Sequence, residues 1–125
     1  MAQQTILVAE DSPTTRRKIA GILEDQGYHV LTAEDGQQAI ELTHEHHPEL
    51  VLLDIVLPKK NGYQVCRSIK SDPDLAIKVM IVTSKAMEKD RIWSQRQGAD
   101  GYLTKPVDPD ALIELVEGLI SISTQ

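Results

Sequence analysis

The sequence lacks three features that would assign it to particular classes of protein. Its single cysteine, Cys66, cannot form an internal disulfide, which agrees with a reducing compartment. It has no excess of basic residues, and a formal net charge of -6 argues against binding to nucleic acid phosphates. It has no apolar run of the roughly 18 residues that a membrane span requires, and no signal-type segment at its start. We therefore expect a cytoplasmic protein that binds other proteins, not nucleic acid or membrane.

The length and composition indicate one globular domain. The chain has 125 residues, of which 41% are hydrophobic, and this is enough for a substantial core. It contains no internal repeat, linker or low-complexity segment. We therefore expect a single domain over residues 1–125.

Five short apolar runs alternate with stretches of helical periodicity. Runs of this kind are typical of strands that are buried on both faces, as in a parallel sheet covered by helices. Strict alternation of strand and helix requires right-handed crossovers and a doubly wound α/β fold. The predicted strands are Thr5–Ala9, Tyr28–Ala33, Leu50–Leu53, Ile77–Val82 and Gly101–Thr104.

Start and stop signals frame most of the predicted helices. Ser12-Pro13 and Asp108-Pro109 each offer a capping side chain, followed by a proline suited to the first helical position. Asp35-Gly36 begins the second helix, and Asp72-Pro73 ends the third. The first, second, third and fifth helices therefore each have a clear boundary signal, and Gly98 is predicted to end the fourth helix.

The fourth helix, predicted from Ala86 to Gln97, has the weakest pattern. Its apolar residues form a poor stripe, so we expect it to pack weakly or to be mobile. Ser84 is expected to cap it. Trp93 is open to two interpretations: it packs against the helix's own neighbours, or it belongs to a partner-binding face.

Polar side chains follow four of the five strands, at the edge where ligands gather in sheets of this kind. They are Glu10 and Asp11 after the first strand, Asp54 after the third, Thr83 after the fourth and Lys105 after the fifth. Carboxylates brought this close repel one another, and a hard divalent cation with oxygen ligands relieves the repulsion. Mg²⁺ is the natural candidate. A lysine and a hydroxyl would complement a phosphoryl group, for which an aspartate can act as nucleophile.

These residues resemble the receiver domain of bacterial two-component response regulators, the CheY-like family, over essentially the whole chain. The resemblance implies a flavodoxin-like, five-stranded parallel sheet of order 2-1-3-4-5 with five helices. It also implies a phosphoacceptor that promotes its own phosphorylation and dephosphorylation, not an enzyme with a separate substrate. The motifs that carry the resemblance are Glu10-Asp11, Asp54-x-x-x-Pro58-x-x-x-Gly62, Thr83-Ser84 and Tyr102-x-x-Lys105-Pro106.

The resemblance assigns a role to each residue of the cluster. Asp54 would accept a phosphoryl group from a histidine kinase or phosphotransfer protein. Mg²⁺, or Mn²⁺ in its place, would be held by Asp11, Asp54 and the main-chain carbonyl of Val56, with Glu10 assisting directly or through water. Lys105 would pair with the phosphoryl oxygens.

Further roles implied by the resemblance concern the response to phosphorylation. Thr83 would move to bind the phosphorylated aspartate, and Tyr102 would change its exposure in step. The change would reach the face made by the fourth helix, fifth strand and fifth helix, and a downstream target protein would bind there. The family commonly has a cis peptide bond before the proline that corresponds to Pro106.

Val56 and Lys85 depart from the best-known chemotaxis pattern at positions that tune dephosphorylation in the family. An apolar Val56 cannot orient a water molecule, and Lys85 replaces what is often an acid or an amide. We expect slow to moderate spontaneous dephosphorylation.

A narrower likeness is to the stand-alone receivers of pilus-linked chemotaxis systems. It rests on the segment from Trp93 to Ala99 and on the segment from Tyr102 to Asp108. No DNA-binding or catalytic output module fits after Gln125, so we expect a diffusible switch that acts by binding another protein.

Three alternatives belong to other functional classes. A Mg²⁺-dependent phosphatase of the haloacid-dehalogenase type needs a second aspartate at the position of Val56. A flavodoxin-like mononucleotide binder needs a phosphate loop where this chain has the acids Glu10 and Asp11. A receiver that no longer accepts phosphate, and serves only as an interaction module, is compatible with the sequence.

Several other polar residues are expected to have no part in the site. His44, His46 and His47 are interpreted as a solvated helix end, not a zinc site. Cys66 is interpreted as a buried, inert thiol. The basic clusters Lys59-Lys60 and 16–18 are interpreted as solvated faces.

Overall fold

A computed structural model describes residues 3–123, and five parallel strands form one sheet within it. The strands are β1 Thr5–Ala9, β2 His29–Ala33, β3 Leu50–Leu53, β4 Lys78–Thr83 and β5 Gly101–Thr104. Their order in the sheet is β2-β1-β3-β4-β5, which confirms the order implied by the family resemblance.

In the described residues, four helices connect the five strands and a fifth helix follows the last strand, and helices cover both faces of the sheet. Residues of the second and third helices, such as Ala39 and Ile69, pack with Leu7 on one face. Residues of the first and fifth, such as Ile19 and Leu112, form the apolar layer on the other face. The predicted doubly wound α/β fold is therefore confirmed. The helices are α1 Pro13–Asp25, α2 Gly36–His46, α3 Gly62–Ser71, α4 Glu88–Arg96 and α5 Pro109–Ser123.

The predicted capping residues begin three helices. The Ser12 hydroxyl accepts the Thr15 N–H at 3.4 Å, and an Asp35 carboxylate oxygen accepts the Gln38 N–H at 2.7 Å. Asp108 accepts the Ala111 N–H at 3.0 Å at the start of α5. These bonds satisfy N–H groups that have no partner within a first helical turn.

Three boundaries, in two strands, differ from the prediction by one residue each. β2 begins at His29, because the N–H of Tyr28 binds the Leu23 carbonyl and so closes the end of α1. β4 runs from Lys78 through Thr83, since its ladder with β3 begins where Leu50 pairs with Lys78.

The fourth helix begins two residues later than predicted, and Ser84 does not cap it. Its N-cap is Met87, whose backbone is extended and whose side chain offers no capping oxygen. Ser94 is the one buried residue of α4, while Ile92 and Trp93 are 43% and 45% exposed. The expectation of weak packing is confirmed by this burial pattern.

The apolar runs of the sheet belong to the core and to no membrane span. Within residues 3–123, no helix combines the length and the apolar character that crossing a bilayer would need. Leu50, Val51, Leu52 and Leu53 are all buried, so β3 carries the chain through the core to Asp54 at its carboxyl end.

Candidate functional site at the carboxyl edge of the sheet

Lys105 joins the ends of three strands. Its Nζ donates to Asp54 Oδ2 at 2.7 Å and also binds Glu10 Oε1. Glu10 follows β1, Asp54 follows β3 and Lys105 follows β5, so these contacts link residues that are 51 and 95 positions apart. The sequence prediction that these ends converge is reproduced in the geometry.

The two carboxylates lie in a largely dry environment. Glu10 is 3% exposed and Asp54 is 7% exposed. Burial raises the pKa of the Glu10 carboxyl, against the opposing hydrogen bond from Lys105. Burial alone would lower the pKa of the Lys105 ammonium, but its bonds to Asp54 and Glu10 raise that pKa overall. The ammonium therefore stays charged and offsets part of the negative charge of the two acids.

The backbone around Asp54 is shaped by the turn that follows it. Asp54 Oδ1 accepts the Val56 N–H at 3.2 Å, while Gly62 N–H donates to the Ile55 carbonyl at 2.9 Å. A Cβ at Gly62 would lie 2.2 Å from the Asp54 carbonyl oxygen, so only glycine allows α3 to start this close. The spacing from Asp54 to Gly62 in the sequence motif thus has a steric cause.

Asp11 lies beside the pair but is not joined to it. The residue is exposed, and its carboxylate forms no hydrogen bond or ion pair with the part of the chain that the structure describes. Within residues 3–123, no three His, Cys, Asp or Glu side chains are already grouped as a metal site. Lys105 instead bridges Glu10 and Asp54.

The donor set nevertheless suits a hard divalent cation. Glu10 and Asp54 already share one cation, the Lys105 ammonium, which shows that their oxygens can converge on a single positive charge. Asp11, the next residue after Glu10, adds an uncommitted carboxylate. Oxygen donors of this kind are the ligands that Mg²⁺ prefers.

Two hydroxyl groups contact the same loop residue after β4. Thr83 is fully buried, and its Oγ1 accepts the N–H of Lys85 at 3.3 Å. The Tyr102 hydroxyl donates to the carbonyl of Lys85. Arg91 lies over the Tyr102 ring, with its guanidinium carbon 5.5 Å from the ring centroid. The main chain of Lys85 therefore connects Thr83 to Tyr102, a link that the sequence did not reveal.

The remaining predicted features of this edge are also located. The Lys105–Pro106 peptide bond is cis, as the family resemblance implied. Val56 is 57% exposed next to Asp54, at the position predicted to tune dephosphorylation.

The residues expected to have no part in the site lie elsewhere in the fold. His44, His46 and His47 are exposed at the end of α2, and no metal-binding group includes them among the residues described. Cys66 is buried, and burial raises the pKa of its thiol to about 11. Trp93 packs edge-on against Tyr63 with ring centroids 6.4 Å apart, although nearly half of it remains exposed.

One basic residue was wrongly assigned to a solvated face. The Arg16 side chain is only 13% exposed and contacts main-chain oxygens beside the acidic pair, whereas Arg17 and Lys18 are exposed as expected. The sequence Arg-Arg-Lys offers no signal that separates the three, because the difference depends on which carbonyl groups the fold brings near.

Known proteins resemble this chain along nearly all of its length. The family model "response regulator receiver domain" matches residues 6–117. Protein PilH of Pseudomonas aeruginosa is 43% identical over 117 residues, which cover 93% of this chain and 97% of PilH. The probable transcriptional regulator ycf27 of Galdieria sulphuraria is 41% identical over 110 residues, which cover 88% of this chain but 42% of that protein.

Solved structures agree with this assignment. The CheY-like response regulator receiver domain protein from Methanospirillum hungatei superposes with a TM-score of 0.90 at 27% identity, and 98% of each chain is covered. The signal receiver domain of a histidine kinase from Syntrophus aciditrophicus gives 0.87 at 34% identity, with 94% of this chain and 90% of that chain covered. The chain therefore belongs to the response regulator receiver domain family.

Proposed function

We propose that this single receiver domain accepts a phosphoryl group on Asp54 and signals by binding a target protein when phosphorylated. The observation that supports this most directly is the Lys105 ammonium, 2.7 Å from Asp54 Oδ2 and also bound to Glu10. A buried carboxylate next to a cation can act as a nucleophile, because the cation offsets the negative charge that the phosphoryl group adds.

The proposed reaction transfers a phosphoryl group from the phosphohistidine of a kinase or phosphotransfer protein. A carboxylate oxygen of Asp54 forms a bond to phosphorus as the bond between phosphorus and the donor's imidazole nitrogen breaks. The nitrogen keeps the electron pair of that bond, and Asp54 becomes an acyl phosphate. Lys105 then binds phosphoryl oxygens while it keeps its ion pair with Glu10.

The residues proposed to hold the cation are Asp11, Asp54 and the main-chain carbonyl of Val56, with Glu10 contributing directly or through water. Mg²⁺, or Mn²⁺ in its place, supplies neutralisation of the negative charge on the transferring phosphoryl oxygens when it is bound. The exposed carboxylate of Asp11 supports this assignment, because nothing among the described residues competes for it.

The response to phosphorylation is proposed to pass through Lys85. Thr83 Oγ1 accepts the Lys85 N–H, and Tyr102 donates to the Lys85 carbonyl. A Thr83 hydroxyl that turns toward an acyl phosphate on Asp54 gives up its bond to Lys85, which frees this loop residue and its partner Tyr102 to move. Phosphorylation acts only through the free-energy difference that it makes between the two arrangements.

We further propose a role as a stand-alone regulator in pilus motility or chemotaxis. The support is the likeness to PilH. The aligned region covers 97% of the PilH chain, whereas it covers only 42% of the longer transcriptional regulator ycf27 of Galdieria sulphuraria. The partners would be a histidine kinase or phosphotransfer protein and a downstream target protein.

The decisive experiment is phosphorylation by a small donor. The protein is incubated with acetyl phosphate and Mg²⁺, and its intact mass is measured. We expect a mass increase of one phosphoryl group that is lost in Asp54→Asn and when EDTA replaces Mg²⁺. Asp25→Asn, an exposed aspartate at the end of α1, is the matched control and should be modified like the wild type. No mass increase in the wild type, or equal labelling of Asp54→Asn, would exclude the proposed reaction.

A further inference from the structure

The Arg16 side chain binds the main chain of the turn that carries Glu10 and Asp11. Its Nη1 donates to the Glu10 carbonyl at 2.8 Å and lies 3.4 Å from the Asp11 carbonyl. Only 13% of the Arg16 side chain is exposed. A guanidinium is a planar group with donors in fixed directions, so Nη1 can bind both carbonyl groups while Nη2 faces Glu34, an arrangement that the single nitrogen of a lysine cannot reproduce.

Arg16 does not neutralise the acids that it holds. The carboxylate nearest to its guanidinium is that of Glu34, 3.5 Å from Nη2, in the segment between β2 and α2. The Glu10 carboxylate binds Lys105 and the Ser12 N–H instead. The positive charge of Arg16 is thus balanced by a residue outside the cluster, and the Asp11 carboxylate remains uncommitted.

Backbone hydrogen bonds hold the two ends of this turn, and the Arg16 guanidinium binds the carbonyl groups between them. The Glu10 N–H binds the Ala33 carbonyl at 3.0 Å, and the Arg16 N–H binds the Ser12 carbonyl at 2.9 Å. Between these two bonds, the carbonyl groups of Glu10 and Asp11 accept from the Arg16 guanidinium. The backbone that carries both acids is therefore held at its two ends and at the carbonyl groups of Glu10 and Asp11.

We infer that Arg16 is a positioning residue for divalent-cation binding, because it fixes the backbone of Glu10 and Asp11 while leaving the Asp11 carboxylate uncommitted. The inference rests on the proposed function, since it concerns the same cation. Outer groups that orient metal ligands commonly change metal affinity by about 10- to 100-fold when they are removed. Arg16 acts through main-chain carbonyls, so we expect the lower end of that range.

Two physical effects of removing Arg16 have opposite signs, and this makes the inference testable. Loss of a nearby positive charge alone would strengthen cation binding, because a repulsion disappears. Loss of positioning would weaken it. Arg16→Gln removes both the charge and the paired bonds, whereas Arg16→Lys keeps the charge and loses the planar fork.

The experiment measures Mn²⁺ binding by the EPR signal of the free ion, at constant ionic strength and with no phosphodonor. We expect roughly tenfold weaker binding in both Arg16→Gln and Arg16→Lys. Arg17→Gln removes the same charge from the next, exposed position of α1 and should bind Mn²⁺ as the wild type does, or slightly more tightly. Glu34→Gln should change the affinity less than twofold, because its pair with Arg16 is largely exposed.

Circular dichroism under the binding conditions establishes which variants are folded. Arg16→Lys is the conservative change and decides the question if Arg16→Gln does not fold. Wild-type affinity in Arg16→Lys, or tighter binding in Arg16→Gln, would overturn the inference. If the wild type itself binds no Mn²⁺ and Asp54 takes no phosphoryl group, the proposed function fails. If the wild type does both while Arg16→Lys is unchanged, only the role of Arg16 is excluded.

Discussion

Lys105 Nζ lies 2.7 Å from Asp54 Oδ2 and binds the Glu10 carboxylate at the same time, so two buried acids share one ammonium. One ammonium thus faces two acids within a site that water hardly reaches. Removal of the ammonium would leave two adjacent buried carboxylates without a counter-charge, which is costly in free energy.

Lys105→Met should therefore lower the free energy of unfolding in the absence of divalent cations. Removing one partner of a fully buried ion pair costs about 3–5 kcal/mol, and we expect about 2–3 kcal/mol here because 19% of the Lys105 side chain is exposed. Mg²⁺ should raise the melting temperature of this variant more than that of the wild type. The two carboxylates then lack the ammonium and attract the cation more strongly, and a cation bound only by the folded state stabilises that state. Thermal unfolding with Mg²⁺ and with EDTA measures both effects.

The control is Lys70→Met, which breaks the ion pair of Lys70 with Asp100, 2.9 Å apart and outside the site. This variant should lose stability, but its response to Mg²⁺ should match that of the wild type. An equal response to Mg²⁺ in Lys105→Met and Lys70→Met would contradict the interpretation that Mg²⁺ and the Lys105 ammonium neutralise the same two carboxylates.

Val56→Asn should accelerate the loss of the phosphoryl group from Asp54. Val56 is 57% exposed beside the acceptor and has no polar side-chain atom, so it cannot orient an attacking water molecule. One oriented hydrogen bond is worth about 0.5–1.5 kcal/mol, which corresponds to a rate increase of roughly 2- to 12-fold. The decay of the phosphorylated mass after removal of the donor measures the rate.

Ile92→Asn makes a similar change of polarity at an exposed position of α4 and should leave this decay unchanged. Equal decay rates in the wild type and Val56→Asn would show that Val56 does not set the lifetime of the acyl phosphate.

Most elements of the fold could be predicted from sequence, because buried parallel strands are short continuous apolar runs with polar ends. Leu50–Leu53 is the clearest case, since all four residues are buried. The order of the strands did not come from periodicity, which says nothing about which strands are neighbours. It came from the family resemblance and is the observed order.

Individual side-chain contacts could not be predicted from the sequence. The prediction that Glu10, Asp54 and Lys105 converge used only the rule that parallel strands end at one edge. That rule could not show that Lys105 bridges the two acids, or that Arg16 turns inward while Arg17 stays exposed. Such contacts depend on side-chain reach and on free carbonyl groups, neither of which has a sequence pattern.

Met87→Ser should stabilise α4. Met87 has the extended backbone of an N-cap, with φ -74° and ψ 147°, but it makes no side-chain capping bond. A serine there can accept a free N–H of the first turn, which is typically worth about 1 kcal/mol. Little apolar contact is lost, because Met87 is 62% exposed. Urea unfolding measures the gain, and Met87→Ala, which has no oxygen, should show none; equal stability of the two variants would contradict the prediction.

His44 connects the end of α2 to Asp72 through both ring nitrogens. Nδ1 lies 2.9 Å from the Ile40 carbonyl oxygen, and Nε2 lies 3.1 Å from Asp72 Oδ2. Both partners are hydrogen-bond acceptors, so the arrangement requires a proton on each nitrogen and favours the imidazolium. The bond to Ile40, followed by that to Asp72, raises the pKa of His44 above its ordinary value.

A raised pKa in the folded state predicts the sign of a pH dependence. The stabilisation from His44 is complete below the unfolded pKa of about 6.5 and disappears as the pH rises through the higher folded value. The wild type should therefore exceed His44→Gln in stability by more at about pH 5.5 than at about pH 8.5. Urea midpoints at the two pH values measure this difference.

His29→Gln is the control for the other histidines. The His29 side chain is exposed on β2, and its ring makes no hydrogen bond or ion pair within residues 3–123, so its replacement should change stability equally at both pH values. His47 also acts on the Asp72 carboxylate, and it is retained in every variant compared. A difference between wild type and His44→Gln that does not change with pH would mean that the contact with Asp72 does not depend on the charge of the ring.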